Sequence, residues 1–442
     1  MTAHRPTLLE GDVAAHLRRL SAPLTWSLIA LAGFSVIDAV FIARLGTKAL
    51  AAMGFAMPVM MISMGVVYGL SVGTTSVLSR VHGEGDIERG KRLSTDALTL
   101  TFVTVCATAL IGLLVMDDVF RMMGAGRDVA PMIRSFMVVW YGNMIFTALL
   151  LVGNACVRAT GDTRFPALTL AVASIVSVIL DPLLIFGLGP FPRLGLTGSA
   201  VTVLLVNSVT SIAALYIIIW RKKIMSLDIF HAEMLESWKK ILHVGLPSIV
   251  SNQISPLSAA VVTWIVAEIG SEAVAAFGVA TRIEGMATIV FYALGTGVSI
   301  FTGQNFGAGN YGRVAEIAGV AAKYCLIWGL FVAVTLFVFA RDIPTLFDGD
   351  MRVVDYTAQY LHIVPVSYGA MGVLITANAA LNAMGRPFPA TVLIVLRAFA
   401  LYVPLAWLGE KYAGFMGILL ALAATNIIVS ILSYLWHKKL AS

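Results

Sequence analysis

Long apolar stretches, each about the length of a membrane-spanning helix, follow one another along almost the whole chain. A helix rises ~1.5 Å per residue, so about 20 apolar residues cross a hydrocarbon core of ~30 Å. The predicted spans are residues 20–43, 50–78, 94–115, 132–156, 166–187, 196–220, 241–267, 274–301, 318–340, 356–382, 388–409 and 412–436. The pattern therefore predicts an all-α integral membrane protein with twelve transmembrane helices.

The second half of the chain repeats the first at an offset of 224 residues. The stretch "ARLGTKALAAMGFA" (43–56) shares seven of fourteen positions with "AEIGSEAVAAFGVA" (267–280). The same offset aligns Pro23 with Pro247. Because each half has an even number of spans, both halves insert in the same direction, and such parallel repeats are typical of transporters. We predict two parallel six-helix lobes, at 1–220 and 241–442, with a cytoplasmic linker at 221–240.

Composition and charge agree with a membrane location. The chain is 59% hydrophobic and 12% charged, with a mean hydropathy of +0.90. Its net charge of +6 indicates basic loops near anionic lipid, not nucleic-acid binding. Eighteen basic residues lie on the side of both termini and nine on the other, which predicts a multi-pass protein of the bacterial inner membrane with cytoplasmic termini. The three cysteines are isolated, and no cofactor or metal is expected.

Two acidic residues interrupt apolar spans and have no counterpart in the other half. Asp38 aligns with Val262, and Asp181 aligns with about Val403. Each acid lies about six residues before the outer end of its span, so both are expected at a similar depth, facing one cavity. Acids inside a membrane are costly and usually belong to proton or ion pathways. The alternative is that each acid snorkels or meets a buried hydroxyl.

Several motifs together resemble the multidrug and toxic compound extrusion (MATE) transporters, over nearly the whole chain. They are "LSAPL", "IDAVFIARLG", "GDTRFP", "LDPLLIFGLG" and "GQNFGAGN". The resemblance implies a twelve-helix, two-lobed exporter of organic cations, driven by proton or sodium entry. The DinF-like branch, which is largely proton-coupled, has its key acids at the positions of Asp38 and Asp181. That branch commonly has an asparagine where this chain has Ser177.

The resemblance favours protons as the coupling ion. The sodium-linked branch that resembles NorM has acids on spans seven and ten. Here span seven has no acid before Glu268 at its end, and span ten has none. We therefore predict a non-enzymatic, monomeric multidrug antiporter that exports lipophilic, often cationic compounds as protons enter. Ionised Asp38 and Asp181 would attract a cationic drug, and protonation from outside would release it. Sodium coupling and a flippase for a lipid-linked precursor stay as alternatives. The dispersed histidines argue against an enzyme, and the absence of a P-loop argues against an ATP-driven pump.

A second tier of residues is predicted to line the substrate cavity. The hydroxyl and amide groups are those of Tyr141, Asn143, Asn154, Ser177, Ser199, Thr202 and Asn207. A methionine stripe at helical spacing comprises Met53, Met57, Met60 and Met64, and methionine adapts to apolar ligands of different shape. Helix packing is the alternative for both sets. Glu284 is also a candidate, with either a structural ion pair to Arg397 or a binding role.

Overall fold

The structure is a computed structural model that describes residues 8–226, 233–346 and 350–441, and within these ranges it contains helices and connections but no β-strand. The helices of the first half are α1 (Val13–Arg44), α2 (Thr47–Glu84), α3 (Ile87–Met122), α4 (Ala130–Ala159), α5 (Arg164–Phe186) and α6 (Leu196–Tyr216), which continues as a π-helical turn (Ile217–Arg221). Those of the second half are α7 (Met234–Ala267), α8 (Ser271–Ala287), α9 (Ile289–Gly307), α10 (Tyr311–Val338), α11 (Met351–Ile363), α12 (Tyr368–Ala383), α13 (Pro387–Val395), a π-helical segment (Leu396–Tyr402) and α14 (Val403–Ala441).

The number of spans agrees with the prediction of twelve. In the described ranges, ten helical segments are long and apolar enough to cross a membrane, and α8 with α9, bent by 41°, gives an eleventh. One of the ten, Pro387–His437, has 51 residues, which is about twice the length that one crossing needs. Gly414, with φ 58°, breaks this segment. Beside the break the backbones of Gly409 and Gly417 lie so close that a β-carbon on either would overlap the other. The segment therefore provides two spans.

The chain forms two compact units. The N-terminal unit is Pro23–Ile249, and the C-terminal unit is Met1–Ala22 together with Val250–Ser442. These units differ from the predicted lobes at their ends, because the start of α1 belongs to the C-terminal unit and the start of α7 to the N-terminal unit. The functional division into lobes at 1–220 and 241–442 stays a prediction. The predicted linker lies partly outside the described residues.

Helix α4 lies at the centre of the N-terminal unit, where it contacts α2, α3, α5 and α6. Its buried side chains, among them Phe136, Met137 and Met144, form a core with residues of α2, α3 and α6. In the C-terminal unit α12 has the corresponding place and contacts α9, α10 and α14, with α11 packed on α8. Apolar helices associate in lipid by such close packing, since the lipid tails are as apolar as the side chains.

Matched glycines allow equivalent helix contacts in the two units. In the N-terminal unit a β-carbon on Gly73 of α2 would overlap the Ile241 carbonyl oxygen of α7. In the C-terminal unit a β-carbon on Gly297 of α9 would lie 3.1 Å from Leu17 Cδ1 of α1. Leu17 and Ile241 are separated by the same 224 residues as the two glycines. The repeat is therefore also seen in helix packing: the start of α7 packs on α2 in the same way as the start of α1 packs on α9.

An ion pair ties the α4–α5 loop to the segment after α6. Lys222 Nζ lies 2.5 Å from the Asp162 carboxylate and 4.9 Å from the centre of the Phe165 ring. Burial raises the pKa of Asp162, but hydrogen bonds from Lys222 and from the Phe165 and Arg164 amides outweigh burial, so the net effect lowers that pKa. Asp162 is thus an anchor for the linker and stays ionised at neutral pH.

Candidate functional site

The two predicted key acids lie together inside the N-terminal unit. Asp38 is in α1, and its Oδ1 accepts a hydrogen bond of 2.8 Å from the Ser199 hydroxyl of α6. Asp181 is in α5 and is fully buried. Its carboxylate is within interaction range of the Asp38 and Thr202 side chains. Helix α1 and the consecutive helices α5 and α6 therefore bring two carboxyl groups and two hydroxyl groups to one place.

The buried Asp181 carboxyl group lacks good hydrogen-bond donors among the described residues. Neither of its carboxylate oxygens accepts a hydrogen bond of good geometry from a described residue. The hydroxyl of Thr202 donates instead to the Gly198 carbonyl, at 3.0 Å. Asp38 differs because it is partly exposed and has the Ser199 hydroxyl as a donor. A buried carboxyl group without donors and beside a second carboxyl group is a place where a proton can be bound.

Pro182 follows Asp181 directly within α5. Proline has no backbone N–H, so one hydrogen bond of the helix is missing next to the acid. Ser177 lies one turn earlier, is buried, and makes no side-chain hydrogen bond to a described residue. Ser177 stands where the DinF-like branch commonly has an asparagine. It therefore gives Asp181 no amide donor.

A second polar group of the N-terminal unit links α4 and α6. Asn207 Nδ2 donates to Asn143 Oδ1 at 3.1 Å and to Thr147 Oγ1 at 2.8 Å. The Thr147 hydroxyl donates to the same Asn143 oxygen at 3.3 Å. Thr147 was not predicted from the sequence, although it lies one helical turn after Asn143. The three side chains satisfy one another, which is typical of hydrogen bonds that hold membrane helices together.

Asn154 and Tyr141 have separate surroundings. Asn154 exchanges hydrogen bonds with the Thr169 hydroxyl of α5, at 3.0 and 3.3 Å. Tyr141 packs its ring on α3 at Gly112, where a β-carbon would overlap the ring. Both side chains are buried, and these contacts account for their position in the fold.

The methionine stripe divides between packing and exposure. Met53, Met60 and Met64 are partly buried and pack on the core of the N-terminal unit. Met57 has 55% of its surface exposed. Only Met57 of the four is therefore directed away from the core of its own unit.

The C-terminal unit contains a different polar group, centred on Glu284 of α8. Tyr360 of α11 donates a short hydrogen bond to Glu284 Oε2, and Tyr368 of α12 lies 3.5 Å from the same oxygen. Both tyrosines are fully buried. The two phenols were not predicted, although their spacing of eight residues, about two helical turns, was a usable signal.

The expected ion pair between Glu284 and Arg397 does not form. Among the described residues, no carboxylate lies within 4 Å of the Arg397 guanidinium. Arg397 Nε instead donates to Asn426 Oδ1 at 2.9 Å, and Asn426 Nδ2 donates to Ser367 Oγ at 3.0 Å. Glu284 accepts from the Tyr360 phenol and Arg397 Nε donates to the Asn426 amide, so the two charged groups have separate partners.

Comparison with known proteins decides the family. The sequence profile of the MatE family matches residues 23–183 and again residues 247–408. The chain belongs to the MATE family. The two matches begin 224 residues apart, from 23 to 247, which is the offset of the internal repeat. Members of this family are transporters and not enzymes, so the predicted family, fold class and absence of enzymatic activity are confirmed.

Relatives of this MATE transporter differ in the substrates that their names state. The FAD transporter of Shewanella oneidensis is 36% identical over 431 residues, which are 97% of this chain and 95% of the relative. A probable multidrug resistance protein, YoeA of Bacillus subtilis, is 26% identical over 406 residues, covering 89% of this chain and 88% of YoeA. The crystal structure of the Vibrio cholerae MATE transporter VcmN in the bent form matches with a TM-score of 0.92 and 28% identity, over 97% of each chain. This MATE protein is therefore a multi-pass membrane transporter of small molecules.

Proposed function

We propose that this MATE transporter exports its substrate in exchange for entering protons, and that Asp38 and Asp181 bind the coupling protons. The observation that carries the proposal is the placement of a buried, donor-poor carboxyl group beside a second carboxyl group. Two carboxylates that are close together and away from water repel strongly, so the pair binds and loses protons as a unit. Ser199 holds Asp38 in the orientation that keeps the two groups together.

The proposed cycle follows from charge. With the pair ionised, the N-terminal unit has negative charge that attracts a cation or a proton. Protons from outside neutralise the pair and lower its affinity for a cationic substrate, which then leaves. The membrane potential adds about 2.3 kcal/mol per charge for each 100 mV. Protonation next to Pro182, where α5 lacks a hydrogen bond, is proposed to change the bend of that helix.

The first candidate substrate class is lipophilic organic cations, including drugs. It is supported by the relatives named as multidrug resistance proteins and by the acidic pair. The second candidate is a flavin dinucleotide, supported by the 36% identity to a protein named FAD transporter. Sodium coupling is the alternative for the driving ion, and a lipid-linked precursor is the alternative for the cargo. We further propose a monomer in the bacterial inner membrane, with both termini in the cytoplasm.

Transport in proteoliposomes tests the driving ion. A pH gradient is imposed without sodium, or a sodium gradient without a pH difference, and movement of a fluorescent lipophilic cation is followed. We expect the pH gradient alone to drive transport, and Asp38→Asn and Asp181→Asn to abolish that drive. Asp117→Asn is the matched control, because Asp117 is an exposed acid that pairs with Arg134 at 3.2 Å. Full proton-driven transport in both test variants contradicts the assignment, and drive by sodium alone contradicts proton coupling.

The same liposomes separate the two substrate classes. FAD and the lipophilic cation are compared as transported solutes and as competitors of each other. A flavin exporter transports FAD and leaves the cation behind, whereas a multidrug exporter does the reverse. Transport of neither compound, with the protein folded and inserted, rejects both candidates.

A further inference from the structure

Arg397 is an arginine inside a membrane-spanning segment without a carboxylate partner among the described residues. A guanidinium at this depth is costly, and it normally faces a cavity or pairs with an anion. Its only hydrogen bond to a described residue uses Nε, toward Asn426. The side chain is partly exposed, so its two terminal nitrogens have room for another acceptor. A fixed cation with free donors points to an anionic ligand.

The guanidinium is held in position by a buried chain of hydrogen bonds. Asn426 and Ser367 have almost no exposed surface, and Ser367 Oγ donates onward to the Val364 carbonyl at 2.8 Å. Because Nε is committed to this chain, the guanidinium is held in place, while its two Nη atoms make no hydrogen bond to a described residue. Such prior orientation reduces the entropy lost when an oxyanion binds, and the fork geometry of arginine suits phosphate.

Tyr402 provides a second, independent indication of a polar ligand. Its hydroxyl is buried and has no hydrogen-bond partner among the described residues. Arg397 and Tyr402 both lie on the π-helical segment, five residues apart, which is the spacing that one π-helical hydrogen bond joins. Such π-helical turns occur frequently at functional sites, and the orphan hydroxyl is a donor of the kind that a phosphate oxygen accepts.

We propose that Arg397 and Tyr402 form the phosphate-binding part of a substrate subsite in the C-terminal unit, which takes a phosphate-bearing aromatic compound of the flavin dinucleotide class. This inference rests on the second candidate substrate of the proposed function. Arg397 then distinguishes a phosphorylated flavin from an uncharged flavin that has the same ring system.

Binding of three flavins to the purified full-length protein in nanodiscs tests the subsite. Fluorescence anisotropy is measured with FAD, FMN and riboflavin, which differ in phosphate content. We expect Arg397→Gln to weaken FAD and FMN binding by about 10- to 100-fold, the effect of losing a charged hydrogen-bond donor, and to leave riboflavin binding unchanged. Arg397→Lys restores part of the affinity for FAD, and Tyr402→Phe causes a smaller loss confined to the phosphorylated flavins.

The control is Arg282→Gln, which removes an exposed arginine of α8 outside this hydrogen-bonded group. It is expected to leave the binding of all three flavins unchanged. Equal weakening of FAD and riboflavin by Arg397→Gln, or no weakening of either, overturns the inference. Unfolding temperatures of each variant show whether a loss of binding reflects a loss of folding.

A final comparison separates the subsite from the proposed flavin substrate. If the wild-type protein binds no flavin, the flavin proposal fails, and inorganic pyrophosphate is titrated by calorimetry. Pyrophosphate binding that Arg397→Gln removes then supports an anion subsite for another phosphorylated substrate. If wild type and Arg397→Gln respond alike to pyrophosphate, the subsite is rejected as well.

Discussion

The two units of this transporter share a scaffold and differ in their polar centres. Gly73 with Ile241 and Gly297 with Leu17 are equivalent contacts at the same repeat offset. The N-terminal unit nevertheless has an acid at 38, where the C-terminal unit has a buried valine, Val262.

The surroundings of the acids differ as well. Asp181 has no good donor, whereas Glu284 receives the Tyr360 phenol and lies near a cationic guanidinium. A carboxyl group without donors gains stability when it is protonated, whereas one that accepts hydrogen bonds keeps its charge at lower cost. The two units therefore share a repeated framework and differ in polar chemistry, in agreement with our proposals of proton binding in the N-terminal unit and substrate recognition in the C-terminal unit.

The largest loss of transport is expected for substitution of Asp181 in the N-terminal unit. A loss of that size in the C-terminal unit instead would contradict the difference between the two units. Asp181→Asn is expected to reduce proton-driven transport to the level of protein-free liposomes, because the variant cannot exchange a proton. Glu284→Gln keeps the shape and weakens only hydrogen bonds, worth about 1–1.5 kcal/mol, so transport slows by no more than about tenfold. Initial rates under one pH gradient give both values. Complete loss in Glu284→Gln alone would move the proton site to the C-terminal unit.

Substitution of the matched glycines tests the shared scaffold. Gly73→Leu and Gly297→Leu both force side chains into tight helix contacts, and overpacking costs about 1–3 kcal/mol or more. We expect both to lower the unfolding temperature, measured by size-exclusion chromatography after heating. The decrease should be larger for Gly73→Leu, because backbone atoms of α7 face Gly73 whereas side chains of α1 face Gly297. Gly54→Leu is the control, because a β-carbon there meets open space. A decrease in only one of the two test variants would show that the contacts are not energetically equivalent.

Removal of one phenol tests the polar centre of the C-terminal unit. Tyr360→Phe deletes the donor to Glu284 and leaves its carboxylate with the distant Tyr368 hydroxyl, at an expected cost of about 1–3 kcal/mol. The readout is the unfolding temperature. Tyr356→Phe is the control, since the Tyr356 ring packs edge-on against Phe415, with 5.0 Å between centroids. Equal effects of both substitutions would mean that ring packing, not the hydrogen bond, stabilises the site.

The smallest effect is expected for Met57. Met57→Ala removes an exposed side chain and should change stability by less than about 0.5 kcal/mol. Met64→Ala removes a side chain that packs on the core, and a larger loss is expected. Unfolding temperatures give the two stabilities, and transport of several cations shows whether Met57 contacts substrate. Unchanged transport of every cation would leave the methionine stripe with a packing role alone.

Elements encoded locally could be predicted from the sequence. The number of spans follows from apolar length, and the repeat follows from a constant offset that the family profile shares. Asp38 and Asp181 were recognised because each is an acid in an apolar span and is absent from the other half. Thr147 and Tyr402 were not recognised, because one hydroxyl in an apolar helix is too common to mark a site.

The sequence alone thus determined the membrane class, the duplicated plan and the two unmatched acids of the N-terminal unit. Only the tertiary structure decided which polar groups meet, since Ser199 is 161 residues from Asp38 and Tyr360 is 76 residues from Glu284. It also replaced the expected Glu284–Arg397 ion pair with separate partners for each charge. The physical reason is that a helix apolar on all sides can insert at many rotations about its axis. Close packing with its neighbours selects one rotation, and that selection determines which side chains meet.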